Sequence, residues 1–319
     1  MNTSKQDNAA SSAAIQSRAA KPGVQGSSGP LPELDADLVD RLVDAALAED
    51  LGSGDVTTGG TVAPETMAVG RLLARAPGRI AGLNVFARVF ERVAPERSDF
   101  AIQFIARDGD RVVPNQVLAK LSGSAAQLLV GERTALNFMQ RMSGIATMTS
   151  RFVEQAAGGA RILDTRKTTP GLRALEKYSV LCGGGENHRF GLFDQAMIKD
   201  NHLDLSGMEL DELIGALRQS RPELWITAEA RDENEARAAA RAGANVILLD
   251  NLSSAEIARI CPILREIAGE RNIEMEASGG IGLENVAEYA RTGVDRISIG
   301  ALTHSAPSLD LSFALEPMP

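Results

Sequence analysis

The stretch from Gly183 to His202, GGGENHRFGLFDQAMIKDNH, concentrates residue types that bind anions. It holds two of the three histidines of the chain, together with an arginine and a lysine. Three adjacent glycines predict a loop that is free to fold over a ligand. His188 and Arg189 would present one titratable and one permanently charged donor to that ligand. His202 is instead interpreted as a histidine whose ring bonds to a backbone carbonyl.

A second basic stretch, DTRKTTPGLRALEKY, lies just upstream and places two cations beside two threonines. Seven Lys/Arg residues stand against five Asp/Glu residues in the range 161–202, within a chain of formal net charge −9. Arginine pairs with carboxylates and phosphates through two parallel hydrogen bonds. These stretches therefore predict a cationic site for a substrate with several negative charges. Its predicted members are Arg166, Lys167, Arg189 and Lys199.

Two carboxylates, Glu229 and Asp250, end two later strands of the predicted fold. Such a pair could hold a divalent metal ion, or stabilise positive charge that develops on a substrate carbon. Both could also simply cap the helices that follow. Because the sequence contains no H-x-x-H, C-x-x-C or EF-hand pattern, we expect Mg²⁺ to arrive with substrate phosphates.

Small residues end the last two predicted strands, in ASGGI (277–281) and SIGAL (298–302). Backbone N–H groups in such turns approach an anion closely, and a helix N-terminus adds a favourable dipole. Phosphate sites are common at the final strands of β/α barrels. The turns thus predict a sugar-phosphate substrate, although ordinary tight turns have the same composition.

Six short apolar runs alternate with amphipathic helical stretches in the second half of the chain: RILDTR, AMIKDN, WITAEA, NVILLDN, IEMEASGG and DRISIGA. This alternation predicts parallel strands in an α/β fold. Polar or glycine residues end each run, which is the placement expected of a β/α barrel. A doubly wound open sheet is the alternative, but no GxGxxG fingerprint follows the first strand.

The predicted organisation has three parts. Residues 1–32 are rich in Ser, Ala and Gly and predict a disordered tail. Residues 33–130 predict a small N-terminal α/β domain, which residues 303–319 join. Residues 131–302 predict the β/α barrel that carries the chemistry.

The bulk composition limits the partners of this 319-residue chain. Its negative charge argues against nucleic acid or an anionic membrane as a partner, because both require a basic face. No apolar run approaches the length of a membrane span. Cys182 and Cys261 fit a reducing compartment, and Cys182 is expected to pack rather than catalyse. We therefore expect a cytoplasmic protein.

The motifs ERTALN, DTRKTTPGLR, GGGENHR, GLFDQAMIKDNH, LLDN, ASGGI and GALTHS occur in an order that resembles the quinolinate phosphoribosyltransferase family. The resemblance covers the chain except for its N-terminal tail. It implies an enzyme that converts quinolinate and phosphoribosyl pyrophosphate, with Mg²⁺, to nicotinate mononucleotide, CO₂ and pyrophosphate. It also implies an N-terminal α/β sandwich-like domain, an irregular and incomplete β/α barrel, and a C-terminal strand that returns to the first domain. Members form dimers or dimer-based oligomers.

The resemblance also implies roles for individual residues. The residues that match quinolinate-binding positions are Arg166, His188, Arg189 and Lys199. Arg133 matches an arginine that completes the site of the neighbouring subunit. Lys167 matches a contact to the pyrophosphate donor, and Glu229 and Asp250 match acids near the ribose and its metal. The residues that match 5′-phosphate loops are Ser278, Gly279, Gly280, Gly300 and Ala301. One departure is Thr227-Ala228 before Glu229, where many members read Glu-Val.

Three alternatives stay open on the sequence. One is a phosphoribosyltransferase of the same fold that acts on another acidic heterocycle. Another is a non-catalytic barrel that binds a phosphate ligand. The third is an aldolase or isomerase barrel, which would need a Schiff-base lysine or a buried acid–base pair.

Overall fold

The computed structural model describes residues 30–94 and 99–318. These residues divide into two compact units. The larger unit consists of Leu31–His188, Ile281–Ala290 and Ile297–Pro319, and the smaller unit consists mainly of Arg189–Gly280 and Arg291–Arg296. Residues 1–29 of the predicted disordered tail lie outside the described ranges. Within these ranges, no helix combines the length and the apolar character needed to cross a membrane.

The helices are α1 (Ala36–Leu51), α2 (Thr58–Thr61), α3 (Leu83–Val93), α4 (Ala125–Ala156), α5 (Arg173–Cys182), α6 (Asp200–Ser206), α7 (Leu210–Ser220), α8 (Glu233–Ala242), α9 (Ser254–Ala268), α10 (Val286–Tyr289) and α11 (Ala301–His304). The strands are β1 (Met67–Ala74), β2 (Gly78–Arg79), β3 (Ala101–Phe104), β4 (Arg111–Val112), β5 (Val117–Ser124), β6 (Arg161–Leu163), β7 (Ala196–Ile198), β8 (Ile226–Ala230), β9 (Val246–Asp250), β10 (Glu274–Ser278), β11 (Arg296–Ser298) and β12 (Leu311–Pro317).

An antiparallel sheet of order β12-β1-β5-β3 organises the N-terminal part of the larger unit. Residues of β1 alternate between half-buried and buried, because successive side chains of a strand point to opposite faces. The aromatic rings of Phe86 and Phe90 on α3 pack edge to face and both contact Phe313 of β12. The predicted return of the C-terminal strand to the first domain is thereby confirmed.

The longest helix, α4, spans 32 residues and is about 48 Å long at 1.5 Å per residue. It ends at Ala156, and the next residue, Ala157, adopts a left-handed conformation. Gly144 of α4 lies against the backbone of Pro307 and Ser308. The predicted boundary at residues 130 and 131 falls inside α4, so the two predicted domains share this helix.

The smaller unit contains parallel strands in the order β7-β8-β9-β10. The run from β8 through α8 to β9 is a strand–helix–strand unit, and α8 is followed by Gly243, whose φ is +86°. Strand β9 is buried along nearly its whole length, as expected when both faces of a parallel sheet are covered. Each of the six predicted barrel runs contains a strand, and the α/β fold class is confirmed.

Replacing Gly144 with alanine is expected to destabilise the protein. The added Cβ would lie 2.9 Å from the Cα of Ser308 and even closer to the carbonyl oxygen of Pro307, and these backbone atoms cannot rotate away. Overpacking of this kind lowers the free energy of unfolding by about 1–3 kcal/mol. Urea unfolding followed by circular dichroism measures the change.

The matched control is Gly215→Ala, the same substitution inside α7. Apart from its chain neighbours and the backbone of its own helix, no atom of the described residues lies within 4 Å of its Cβ position, so the substitution should raise the free energy of unfolding by up to about 1 kcal/mol. Equal effects of the two substitutions would contradict the packing described for α4.

Candidate active site

Lys199 and Glu229 form an ion pair at the ends of two neighbouring strands of the smaller unit. The strands β7 and β8 are parallel and Ile198 pairs with Ala228, so the residues that follow them lie side by side. The Glu229 side chain is only 9% exposed, whereas that of Lys199 is 42% exposed. The ammonium therefore remains accessible to an anionic ligand that competes with Glu229.

Asn251 joins Asp250 to the small-residue turn at the end of β10. Its backbone N–H donates to the carbonyl oxygen of Ser278 over 2.9 Å, and its side-chain amide donates to the Asp250 carboxylate over 2.7 Å. Gly279 has a φ of +94°, and a Cβ there would lie 2.9 Å from the Asn251 nitrogen. Only glycine fits this turn. The sequence does not point to Asn251, because its contacts to Asp250 and Ser278 arise only in the folded chain.

Neither Glu229 nor Asp250 is the N-cap of the helix that follows it. Asp232 caps α8 by accepting a hydrogen bond of 2.9 Å from the Glu235 amide, and Ser253 caps α9. The capping interpretation of the two acids is therefore wrong. Within the described ranges, no group of three or more His, Cys, Asp or Glu residues could hold a metal ion.

In the larger unit, Lys167 contacts the turn that begins α11. The Thr303 hydroxyl donates to the Lys167 carbonyl oxygen over 2.8 Å. A Cβ on Gly300 would lie 3.0 Å from Cδ of Lys167 and 3.1 Å from the His304 ring. The predicted donor-contacting lysine therefore lies at the predicted phosphate turn of Gly300 and Ala301.

Arg166 follows β6 and its side chain is half-buried. Its Nε atom is buried, and its N–H donates to no acceptor among the described residues. A buried donor without an acceptor costs free energy. An anionic ligand that accepted a hydrogen bond from this atom would remove the cost.

A buried ion pair holds the backbone of His188 on both sides. Asp164 and Lys177 are 0% and 3% exposed, and Nζ of Lys177 lies 2.5 Å from Oδ1 of Asp164. The His188 N–H donates to that Oδ1 over 2.8 Å, while the Lys177 ammonium donates to the His188 carbonyl oxygen over 3.0 Å. Burial raises the pKa of Asp164, and the Lys177 ammonium opposes this rise. The sequence alone does not point to Lys177 either.

Packing, rather than the expected loop flexibility, accounts for Gly183 and Gly185, and a positive φ accounts for Gly184. A Cβ on Gly183 would lie 2.5 Å from the carbonyl oxygen of Ala146 on α4. A Cβ on Gly185 would lie 2.7 Å from Cγ2 of Thr149, and Gly184 has a φ of +85°. Gly183 and Gly185 lack side chains because two chain segments approach each other closely.

The remaining predicted residues have simpler surroundings. The His202 ring accepts a hydrogen bond of 3.0 Å from the Lys199 amide, which corrects the expected bond to a carbonyl. Arg189 donates to the carbonyl oxygen of Gln195 over 3.1 Å, and Arg133 is exposed on α4. The predicted site residues in the smaller unit are Arg189, Lys199, Glu229, Asp250, Ser278, Gly279 and Gly280. Those in the larger unit are Arg133, Arg166, Lys167, His188, Gly300 and Ala301.

Two protein-family models match the chain. The model of the quinolinate phosphoribosyl transferase N-terminal domain matches residues 55–143, and that of the C-terminal domain matches residues 145–314. The chain is 41% identical over 279 residues to a probable nicotinate-nucleotide pyrophosphorylase (carboxylating) of Bacillus subtilis, covering 85% of this chain and 91% of the relative. It is 41% identical over 287 residues to the nicotinate-nucleotide pyrophosphorylase (carboxylating) of Mycobacterium leprae, covering 89% and 100%.

Solved structures show the same fold. NadC from Streptococcus pyogenes superposes with a TM-score of 0.84 and 38% identity, covering 90% of this chain and all of that one. The nicotinate-nucleotide pyrophosphorylase of Francisella tularensis gives a TM-score of 0.83 and 32% identity, covering 90% and 99%.

Neither cysteine is expected to react with a thiol reagent in the native protein. Cys182 and Cys261 are each 3% exposed. Burial raises the pKa of both thiols, that of Cys261 to about 11, so little thiolate exists at neutral pH. Titration with an aromatic disulfide should detect two thiols per chain in denaturant and almost none without it. Rapid reaction of Cys182 in the native protein would contradict its assignment as a packing residue.

Proposed function

The chain belongs to the quinolinate phosphoribosyltransferase family, and from this membership we propose how its own residues carry out the family's reaction. The reaction is phosphoribosyl transfer from phosphoribosyl pyrophosphate to quinolinate with decarboxylation. It gives nicotinate mononucleotide, CO₂ and pyrophosphate, and belongs to NAD biosynthesis. The observation that carries the proposal for the site is the buried, unsatisfied Nε of Arg166, which suits an anionic substrate.

Quinolinate carries two carboxylates, and we assign them to cations and donors near the strand ends. These residues are Arg166, His188, Arg189 and Lys199. Lys199 pairs with Glu229 before substrate binds. A quinolinate carboxylate replaces Glu229 as the partner of the Lys199 ammonium. Glu229 is then available to face the ribose. Binding of the acid thus prepares the catalytic carboxylate for the next step.

Phosphoribosyl pyrophosphate is assigned to the small-residue turns and to Lys167. Backbone N–H groups at such turns bind the 5′-phosphate; the residues are Ser278, Gly279, Gly280, Gly300 and Ala301. Lys167 binds the pyrophosphate group. The contact between Lys167 and Gly300 supports this assignment, because it joins a cation to one of the turns.

The transfer requires charge stabilisation rather than a covalent enzyme intermediate. The ring nitrogen of quinolinate forms a bond to the anomeric carbon as the C–O bond to pyrophosphate breaks. Positive charge then develops on the ribose, and the carboxylates of Glu229 and Asp250 stabilise it electrostatically. Once the ring nitrogen is glycosylated and positive, the adjacent carboxylate leaves as CO₂, and its electron pair stays on the ring carbon. That carbon then takes up a proton from solvent, which gives nicotinate mononucleotide. Correct placement of the two substrates supplies most of the remaining acceleration.

The residues present fit Mg²⁺ as a cofactor that the substrate brings. Mg²⁺ usually binds one or two protein carboxylates together with substrate phosphates and water. Glu229 and Asp250 would supply those carboxylates. When bound, the ion would neutralise charge on the pyrophosphate leaving group.

The proposed assembly is a homodimer or a dimer-based oligomer in the cytoplasm. Arg133 is exposed on α4, and we assign it to the quinolinate site of the neighbouring subunit. Its exposure leaves the guanidinium free to reach another chain. Neither nucleic acid nor membrane is a proposed partner, given the net charge of −9.

Purified protein mixed with quinolinate, phosphoribosyl pyrophosphate and Mg²⁺ should consume quinolinate, as measured by loss of its absorbance. Nicotinate, tested in parallel, should not react, because it has one carboxylate for a site built for two. Turnover of nicotinate but not quinolinate would favour a family member that uses another acidic heterocycle. Absence of turnover with both would favour the non-catalytic alternative.

Mixing Arg133→Ala with Lys167→Ala should restore activity that neither variant has alone. If Arg133 acts in the neighbouring subunit, each mixed dimer contains one site with both residues intact. Random exchange of subunits would then give about a quarter of the wild-type activity. The mixture is assayed after mild denaturation and refolding, with each variant treated alone as the control. A mixture as inactive as the separate variants would show that Arg133 acts within its own chain.

A further inference from the structure

We propose that the buried pair of Asp164 and Lys177 positions His188 for quinolinate binding. The inference rests on the proposed role of His188 as a contact to a substrate carboxylate. Neither member of the pair is among the residues assigned to touch a ligand. Both are therefore positioning residues, which act on the reaction through His188.

The pair controls both polar groups of the His188 backbone. Its N–H donates to Asp164 over 2.8 Å and its carbonyl oxygen accepts from Lys177 over 3.0 Å. The side chain of the preceding residue joins the same network. With its amide oriented to satisfy its hydrogen bonds, Asn187 donates to the second Asp164 oxygen over 2.7 Å and to the Lys177 carbonyl over 3.0 Å. Four hydrogen bonds thus hold residues 187 and 188. Their partners are the Asp164 side chain, the Lys177 side chain and the Lys177 carbonyl.

A buried ion pair is a poor way to gain stability and a good way to fix geometry. The cost of removing two charges from water roughly cancels their attraction, so packed apolar side chains would stabilise the fold as well or better. The hydrogen bonds of a charged pair, however, are short and directional. Asp164 directly follows β6 and Lys177 lies within α5, so the pair ties residue 188 to a strand and a helix.

The same strand end supports a second ligand-binding residue. Arg166 lies two residues after Asp164, so movement of Asp164 would also displace the start of its loop. The loop has its own anchor in Glu176, which is 1% exposed and accepts hydrogen bonds from the Thr169 backbone and hydroxyl. Because of this second anchor, loss of Lys177 should displace His188 more than the loop that carries Arg166 and Lys167.

The position of His188 can be measured without catalysis, because the chain has only three histidines. In protein labelled with ¹³C-histidine, the His188 signal is identified by its loss in His188→Ala. Lys177→Met should shift this signal while those of His202 and His304 stay in place. Leu121→Ala, which opens a cavity in β5, is the control for general destabilisation and should shift none of the three. An unchanged His188 signal in folded Lys177→Met would overturn the proposal.

Steady-state kinetics test the consequence for substrate. Lys177→Met should raise KM for quinolinate about tenfold or more, as displacement of a binding group by about 1 Å can do, and leave KM for phosphoribosyl pyrophosphate within about twofold of wild type. Adding His188→Ala to Lys177→Met should cause little further loss, because both changes remove the same contact. Equal increases in both KM values, or independent effects of the two substitutions, would show a purely structural role.

A second variant is available should Lys177→Met fail to fold. Asp164→Asn/Lys177→Met leaves no unpaired buried charge and keeps an acceptor for the His188 N–H, but the His188 carbonyl loses its donor. Its KM for quinolinate should still rise, and a wild-type value would overturn the proposal. A normal KM in His188→Ala alone would instead contradict the assigned role of His188. A raised KM in His188→Ala with normal values in the pair variants would leave that role intact and exclude the positioning.

Discussion

Buried charges near the strand ends must be paired, and this constraint decides what each cation of the candidate site can do. Lys177 is almost fully buried and binds both Asp164, at 2.5 Å, and the His188 carbonyl oxygen, at 3.0 Å, so it fixes geometry. Lys199 is half exposed and forms its ion pair with Glu229, so it can exchange that partner for a ligand. Arg166 has a buried donor atom that no described residue satisfies. We therefore propose that anions bind to the cations whose pairing is incomplete.

Close approach of backbone explains the glycines better than flexibility does. Gly183 and Gly185 lie against α4, Gly279 lies against Asn251, and Gly300 lies beneath the Lys167 side chain. In each case a Cβ would meet atoms at 3.0 Å or less. Glycine at these positions brings charged groups and backbone N–H groups near one another without a conformational change. Such preorganisation reduces the conformational cost of binding a ligand.

The sequence predicted the regular parts of the fold and the residue types of the site, but not their contacts. Alternating apolar runs identified the strands of the second half of the chain, because burial of parallel strands leaves a clear pattern. Motif resemblance identified the candidate residues. Neither source could identify Lys177 or Asn251, because these residues are distinguished only by the contacts they make in the folded chain. The misread glycines at 183–185 show the same limit, since glycine is common both in flexible loops and where segments pack tightly.

The most direct test of this account is a crystal structure of the protein with quinolinate bound. The central claim is that incompletely paired cations, rather than the fully paired Lys177, bind the substrate carboxylates. We predict that one carboxylate accepts a hydrogen bond from Nε of Arg166 and that a carboxylate replaces Glu229 as the partner of Lys199. Quinolinate carboxylates that contact neither cation, with Lys199 still paired to Glu229, would contradict the account.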